Sequence, residues 1–131
     1  MEFSEEKLKI EIKSLKKALR TLSEVLAMPL NEVVRDASIK RFEYCFEVSW
    51  KTIQTAAGDM GEVCNSPREA IRFAYKEQWI KNPDLWFDAM KARNLTSHTY
   101  NKKVAVKVYK VAKKFPSPIL ELISALSKIK E

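Results

Sequence analysis

The chain has 131 residues, 46% apolar and 31% charged, which describes one globular domain over residues 1–131 rather than a disordered segment. A chain of that length buries a core without disulfides or a structural metal, and its two isolated cysteines, Cys45 and Cys64, lack the spacing of a zinc site. The 24 Lys and Arg outnumber the 17 Asp and Glu, and the formal charge of +7 favours RNA or an acidic protein partner as well as plain solubility.

No apolar run is long enough to span a membrane, and the charged start "MEFSEEKLKIEIK" is unlike a signal peptide. The expected location is the cytoplasm, with reduced thiols. Only two glycines occur, Gly58 and Gly61, and no stretch alternates like a hairpin, so the spacing predicts an all-α chain.

The first helix is predicted over about Ser4–Ala27, with Leu8, Ile12, Leu15, Leu19, Leu22 and Leu26 on its buried face. Lys9, Lys13, Lys16, Lys17 and Arg20 take the other face, and Pro29 ends the helix. A second, central helix runs over about Glu32–Ala57 and buries Phe42, Phe46, Ser49, Ile53 and Ala57, with Cys45, Trp50 and Ala56 alongside. Arg41, Glu43, Glu47 and Lys51 are placed to pair along its surface, and Glu43 or Glu47 is placed to orient an arginine on a neighbouring helix. "SPRE" carries a capping box, with Ser66 as N-cap, Pro67 at the first helical position and Glu69 as its carboxylate. That third helix turns Ile71, Ala74 and Tyr75 inward. "NPDLW" repeats the device with Asn82 and Pro83, opening a helix with Trp86, Ala89 and Met90 inward.

This fourth helix reaches Arg93 and breaks near "NLTSH", because Thr and Ser favour caps and turns. A fifth helix is predicted over about Thr99–Phe115, buried through Val104, Val108, Val111, Ala112 and Phe115. "SPIL" opens the last one, with Ile119, Leu122, Ile123, Leu126 and Ile129 inward. The sum is an antiparallel helical bundle with four principal helices and one or two short ones.

Most catalytic constellations are absent. There is no Gly-rich phosphate loop, no nucleophile elbow and no set of ligands for a metal; no cofactor is expected. What stands out is "RNLTSHTY", Arg93 to Tyr100, which holds the single histidine. On an unbroken helix, residues five apart diverge by about 140°. A bend at Leu95–Ser97 instead lets Arg93 and His98 converge on one phosphate, beside the free N–H groups of the next helix start near Thr99–Lys102. An imidazole with an ordinary pKa of about 6.5 serves as acid or base, and a guanidinium clamps a phosphorane, so the pair suits RNA cleavage. One histidine cannot do both proton transfers, and a two-fold dimer with a composite site would supply the second. The bland alternative is a helix-capping His98, a core-edge Tyr100 and a turn-forming Asn94.

"RFEYCFEVSWK" (Arg41 to Lys51), "SPREAIRFAY" (Ser66 to Tyr75), the Trp86 region and "RNLTSHTY" together resemble the nucleotidyltransferase substrate-binding protein family of the HEPN superfamily, from about Leu8 to Leu126. The resemblance implies a homodimeric helical bundle that binds a minimal nucleotidyltransferase. Under one interpretation of the family, the helical protein is a toxin, a metal-independent endoribonuclease, and its partner is the antitoxin. Arg93 and His98 are then catalytic, Asn94 is supporting, and Tyr100 is adenylylated to silence the site, by bulk and negative charge. Under the other, it is a non-catalytic substrate-binding subunit of a two-component nucleotidyltransferase. The sequence expectation favours the ribonuclease toxin, keeps the substrate-binding subunit as its alternative, and leaves a plain helical interaction module third.

Overall fold

The computed structural model describes residues 2–129, with side chains from residue 6 onward. Six α-helices follow in order: α1 (Glu2–Leu26), α2 (Glu32–Asp59), α3 (Pro67–Lys76), α4 (Pro83–Asn94), α5 (Lys102–Lys114) and α6 (Pro116–Ile129). A single 3₁₀ turn, Thr96–His98, separates α4 from α5, and no strand occurs among the described residues. No described helix is long and apolar enough to cross a membrane.

α1 and α2 form an antiparallel hairpin, and two side-chain bonds fix its direction. Arg41 Nη1 donates to the Thr21 carbonyl at 2.8 Å near one end. The Thr55 hydroxyl donates to the Glu11 carboxylate near the other. The stripe of α1 is buried from Leu8 to Leu22, with Leu15 and Leu22 fully enclosed, while at its end Val25 is buried and Leu26 only partly so. α2 is the centre: α1, α3, α4 and α5 all lean on it, and α6 closes against α1 and α5.

The middle of the bundle is aromatic. Phe115, at the end of α5, meets Phe42 of α2 edge-on at 5.4 Å between centroids and Trp86 of α4 edge-on at 5.0 Å. It also lies 6.1 Å from Phe46. Edge-to-face geometry aims the positive rim of one ring at the negative face of the next, adding to the burial of large apolar area.

The caps work as their sequences dictate. Ser66 accepts from the Glu69 N–H at 3.2 Å, while Glu69 reaches back to the Asn65 N–H at 2.9 Å. Asn31 caps α2 through the Val34 N–H at 2.8 Å. The glycine turn after α2 places Gly61 at φ +84, and Glu62 N–H closes it on the Ala57 carbonyl at 2.9 Å.

Several expectations are corrected. Tyr75 is 45% exposed, because it sits one residue round the short α3 from the buried Ala74. Ile129, at the end of α6, is 46% exposed. The last helix opens at Pro116 and the fifth at Lys102, three residues later than expected. Trp79 and Ile80 are buried, although they lie between helices. The cause is Gln78, whose φ of 61 reverses the chain so that Trp79 N–H bonds the Ala74 carbonyl at 2.8 Å. Trp79 then packs edge-on to Phe73 at 5.4 Å.

Because Phe115 joins three helices through ring contacts, Phe115→Ala is expected to cost about 3–5 kcal/mol, whereas Ile129→Ala should cost about 0.5 kcal/mol or less. Urea unfolding followed by circular dichroism measures both, and equal losses would show that the aromatic cluster does not organise the core.

Candidate functional site

The chain bends where the sequence weakens the helix. Leu95 N–H bonds the Ala92 carbonyl at 3.0 Å, His98 N–H bonds the Leu95 carbonyl at 2.9 Å, and Asn101 N–H bonds the His98 carbonyl at 3.1 Å. Each is an i to i−3 bond, the mark of a tightened turn. Two hydroxyls reinforce it: Thr96 donates to the Arg93 carbonyl at 2.8 Å and Thr99 to the Thr96 carbonyl at 3.1 Å. The Asn101 side chain then caps α5, accepting from Lys103 N–H at 2.9 Å and Val104 N–H at 3.3 Å. Of the backbone groups expected free near Thr99–Lys102, the Asn101 N–H is thus taken, and the cap takes two N–H groups just beyond them.

Arg93 points to α2. Its Nε donates to Glu47 Oε1 at 2.6 Å, with both side chains about two-thirds buried. The other Glu47 oxygen accepts from Trp50 Nε1 at 3.2 Å. Of the two carboxylates proposed to orient this arginine, Glu47 does so, while Glu43 lies 3.8 Å from Lys40. Arg41 and Glu47 therefore bond across helices, to α1 and α4, rather than along α2.

His98 and Tyr100 lie together, edge-on, with centroids 6.1 Å apart. Tyr100 is 86% exposed and His98 is exposed too. Asn94, the last residue of α4, is exposed. Among the described residues, no side-chain hydrogen bond joins Arg93 to His98.

Beside Tyr100 opens a cleft of about 480 Å³ between the start of α2 and the start of α5. Leu30, Asn31, Glu32, Arg35 and Asp36 form one wall, and Thr99, Tyr100 and Lys102 the other. Arg35 is the residue that sequence reasoning missed. Its Nε is buried without a hydrogen-bond partner, and Asp36 Oδ1, at 4.0 Å, is too far to supply one. A buried donor left unpaired costs about 1–3 kcal/mol. Nothing in the spacing of Arg35 signals this.

The thiols offer no chemistry here. Burial pushes Cys45 up to about 12, so it carries no thiolate at neutral pH, and Cys64, raised by burial and by Glu69 and Glu62, is also free and buried. No group of three or more potential metal ligands occurs among the described residues.

The model of the nucleotidyltransferase substrate binding protein-like family matches residues 10–128. The chain belongs to that family. A Thermus thermophilus protein of known structure is 31% identical, covering 86% of this chain and 98% of its own, with a TM-score of 0.80. A Haemophilus influenzae protein, described as having the fold of a substrate binding domain of a nucleotidyltransferase, is 21% identical. It covers 94% of this chain and 98% of its own, with a TM-score of 0.68, a likeness of fold. No curated protein sequence matches the chain.

These matches correct the expectation of a metal-independent endoribonuclease. The family and the Haemophilus fold are described by substrate binding, not by RNA cleavage. The geometry has a consistent physical reason. Arg93, cast as the clamp for a phosphorane, already has its charge matched by Glu47 at 2.6 Å.

If the Arg93–Glu47 pair braces α4 against α2, a double-mutant cycle with Arg93→Ala and Glu47→Ala should return a coupling of about 1 kcal/mol, modest because both groups reach solvent. Thermal unfolding of the four proteins checks it; additive losses would show that the contact holds nothing.

Proposed function

We propose that this chain is the non-catalytic substrate-binding subunit of a two-component nucleotidyltransferase, working with a separate nucleotidyltransferase chain. The observation that carries the reading is the family match over residues 10–128. The site we assign is the cleft between Arg35 and Tyr100. The positive charges of Arg35 and Lys102 suit an anionic group of the substrate, while Glu32 and Asp36 suit a cationic or hydroxyl-bearing part. His98 and Tyr100 stand at the rim as exposed polar contacts that bind without proton transfer. Arg93 braces the rim through Glu47, and Asn94 supports the bend where α4 ends. Pairing of two copies of the chain belongs to the same proposal, as a means of setting two such clefts in one assembly.

The test pairs the chain with a single-domain nucleotidyltransferase from its own genome. The two should co-elute on gel filtration, and transfer of a nucleotidyl group from labelled ATP to a small-molecule acceptor should need both. Arg35→Ala should raise KM for the acceptor about 10- to 100-fold with little change in kcat, since a hydrogen bond to a charged group contributes about 1.5–3 kcal/mol. Transfer that proceeds equally well without this chain would overturn the reading. Label found on Tyr100 by mass spectrometry, with none on a small molecule, would make the chain itself the acceptor.

A further inference from the structure

α5 is the one helix of the six whose sequence, KKVAVKVYKVAKK, contains no carboxylate. It contains six lysines: Lys102, Lys103, Lys107, Lys110, Lys113 and Lys114. All six are exposed, while Ala105, Val108, Tyr109 and Ala112 are buried behind them. Lys103, Lys107, Lys110 and Lys114 follow the i, i+4, i+7, i+11 spacing, so they form one row about 16 Å long. No ion pair engages any of them among the described residues. Asp88 of α4 shares a small cavity of about 80 Å³ with Lys110 and Lys114 but makes no salt bridge to either. Lys113 instead lies over the Tyr109 ring at 5.9 Å.

This arrangement works against the stability of the helix. Lys102 and Lys103 occupy the first turn, where the helix dipole disfavours cations, and lysines four apart repel. The lysines of α1 differ, since that helix interleaves them with glutamates and Arg20 lies 3.9 Å from Glu24.

We propose that the exposed face of α5 docks the phosphodiester backbone of nucleic acid, without regard to base sequence. The row of unpaired ammonium groups supplies the charge complementarity. Its composition selects the occupant. Lysine is depleted in protein–protein interfaces, but as a hydrated point charge it serves phosphate well. The face offers no aromatic ring for stacking bases: Val106, 37% exposed, is its one exposed apolar side chain, and Tyr109 is buried. A face that stacks no base and makes no bidentate contact reads phosphates alone. The row of Lys103, Lys107, Lys110 and Lys114 does not line the cleft, and the proposal does not rest on the substrate-binding reading.

The experiment is fluorescence anisotropy on the full chain with a labelled DNA duplex of about 20 base pairs and arbitrary sequence, titrated at several salt concentrations. A labelled poly-glutamate of equal charge runs beside it. One variant carries Lys103, Lys107, Lys110 and Lys114→Gln; a control carries Lys9, Lys13, Lys16 and Lys17→Gln and so loses the same charge from α1. The α5 variant should bind the duplex at least about tenfold more weakly, with a salt slope shallower by about 3 to 4, while the α1 variant keeps most of its affinity and slope. Circular dichroism confirms that both variants fold. Equal losses in the two would reduce the effect to net charge, and wild-type binding by the α5 variant would remove the strip altogether; either overturns the proposal. Poly-glutamate bound as tightly as the duplex, and lost with the same four lysines, would replace nucleic acid by an acidic protein. None of these outcomes bears on whether the chain supports nucleotidyl transfer.

Discussion

The ring of Phe115 is the point on which the bundle turns. It sits where α5 hands over to α6, and it is held by Phe42 and Phe46 from α2 and by Trp86 from α4. Three helices must therefore meet at one depth. α4 and α5 run in opposite directions, since Trp86 near the start of α4 meets Phe115 at the end of α5 while only a short turn joins Asn94 to Lys102. With both helices fixed against α2, the chain between Asn94 and Lys102 has little freedom. It must turn sharply, and a 3₁₀ turn stitched by Thr96 and Thr99 does so. The corner that carries His98 and Tyr100 is thus positioned by the core, and only its tightness is local.

That division explains which features can be read in the sequence. The stripes of α1 and α2 follow from 3.6-residue periodicity, and the Ser66, Asn82 and Asn31 caps act within three residues of themselves. The break at "NLTSH" is legible for the same reason, because hydroxyls compete locally for backbone carbonyls. Trp79 and Ile80 escape such reading: their burial depends on Gln78 adopting a left-handed conformation that its side chain does not advertise. Tyr75 misleads because an aromatic in phase with a short stripe reads as core, whereas the helix ends before a neighbour can cover it. Arg35 was invisible as a site residue, since its role comes from the wall placed opposite it by Thr99, Tyr100 and Lys102.

Two arginines show why residue type alone is a poor guide to chemistry. Arg93 lies in the conspicuous motif, yet its Nε is bonded by a carboxylate of α2 that also accepts from Trp50. Arg35 lies in an ordinary helical turn, yet its Nε is buried and unpaired in a cleft. A guanidinium whose charge is matched braces the structure, and to bind a phosphate it must first exchange one carboxylate for another anion. A guanidinium short of one acceptor still carries the cost of its buried N–H, and under the proposed function the cleft that it lines, rather than the motif arginine, receives the substrate.

The basic excess of the chain is also unevenly placed. Arg20, Arg35, Lys40 and Arg93 each have a carboxylate within 4.0 Å, and these are short-range matters of packing. Among the described residues the lysines of α5 have none, so their field extends into solvent and decays over a Debye length of about 8–10 Å at moderate salt. Lys102 belongs both to that helix and to the wall of the cleft. The positive field along α5 therefore extends to the mouth of the cleft, which Lys102 lines together with Arg35. Glu32 and Asp36 share the wall of Arg35 and oppose that attraction, so under the proposed function a ligand with both anionic and hydroxyl or amino groups matches the mixed charge of the cleft better than a purely anionic one.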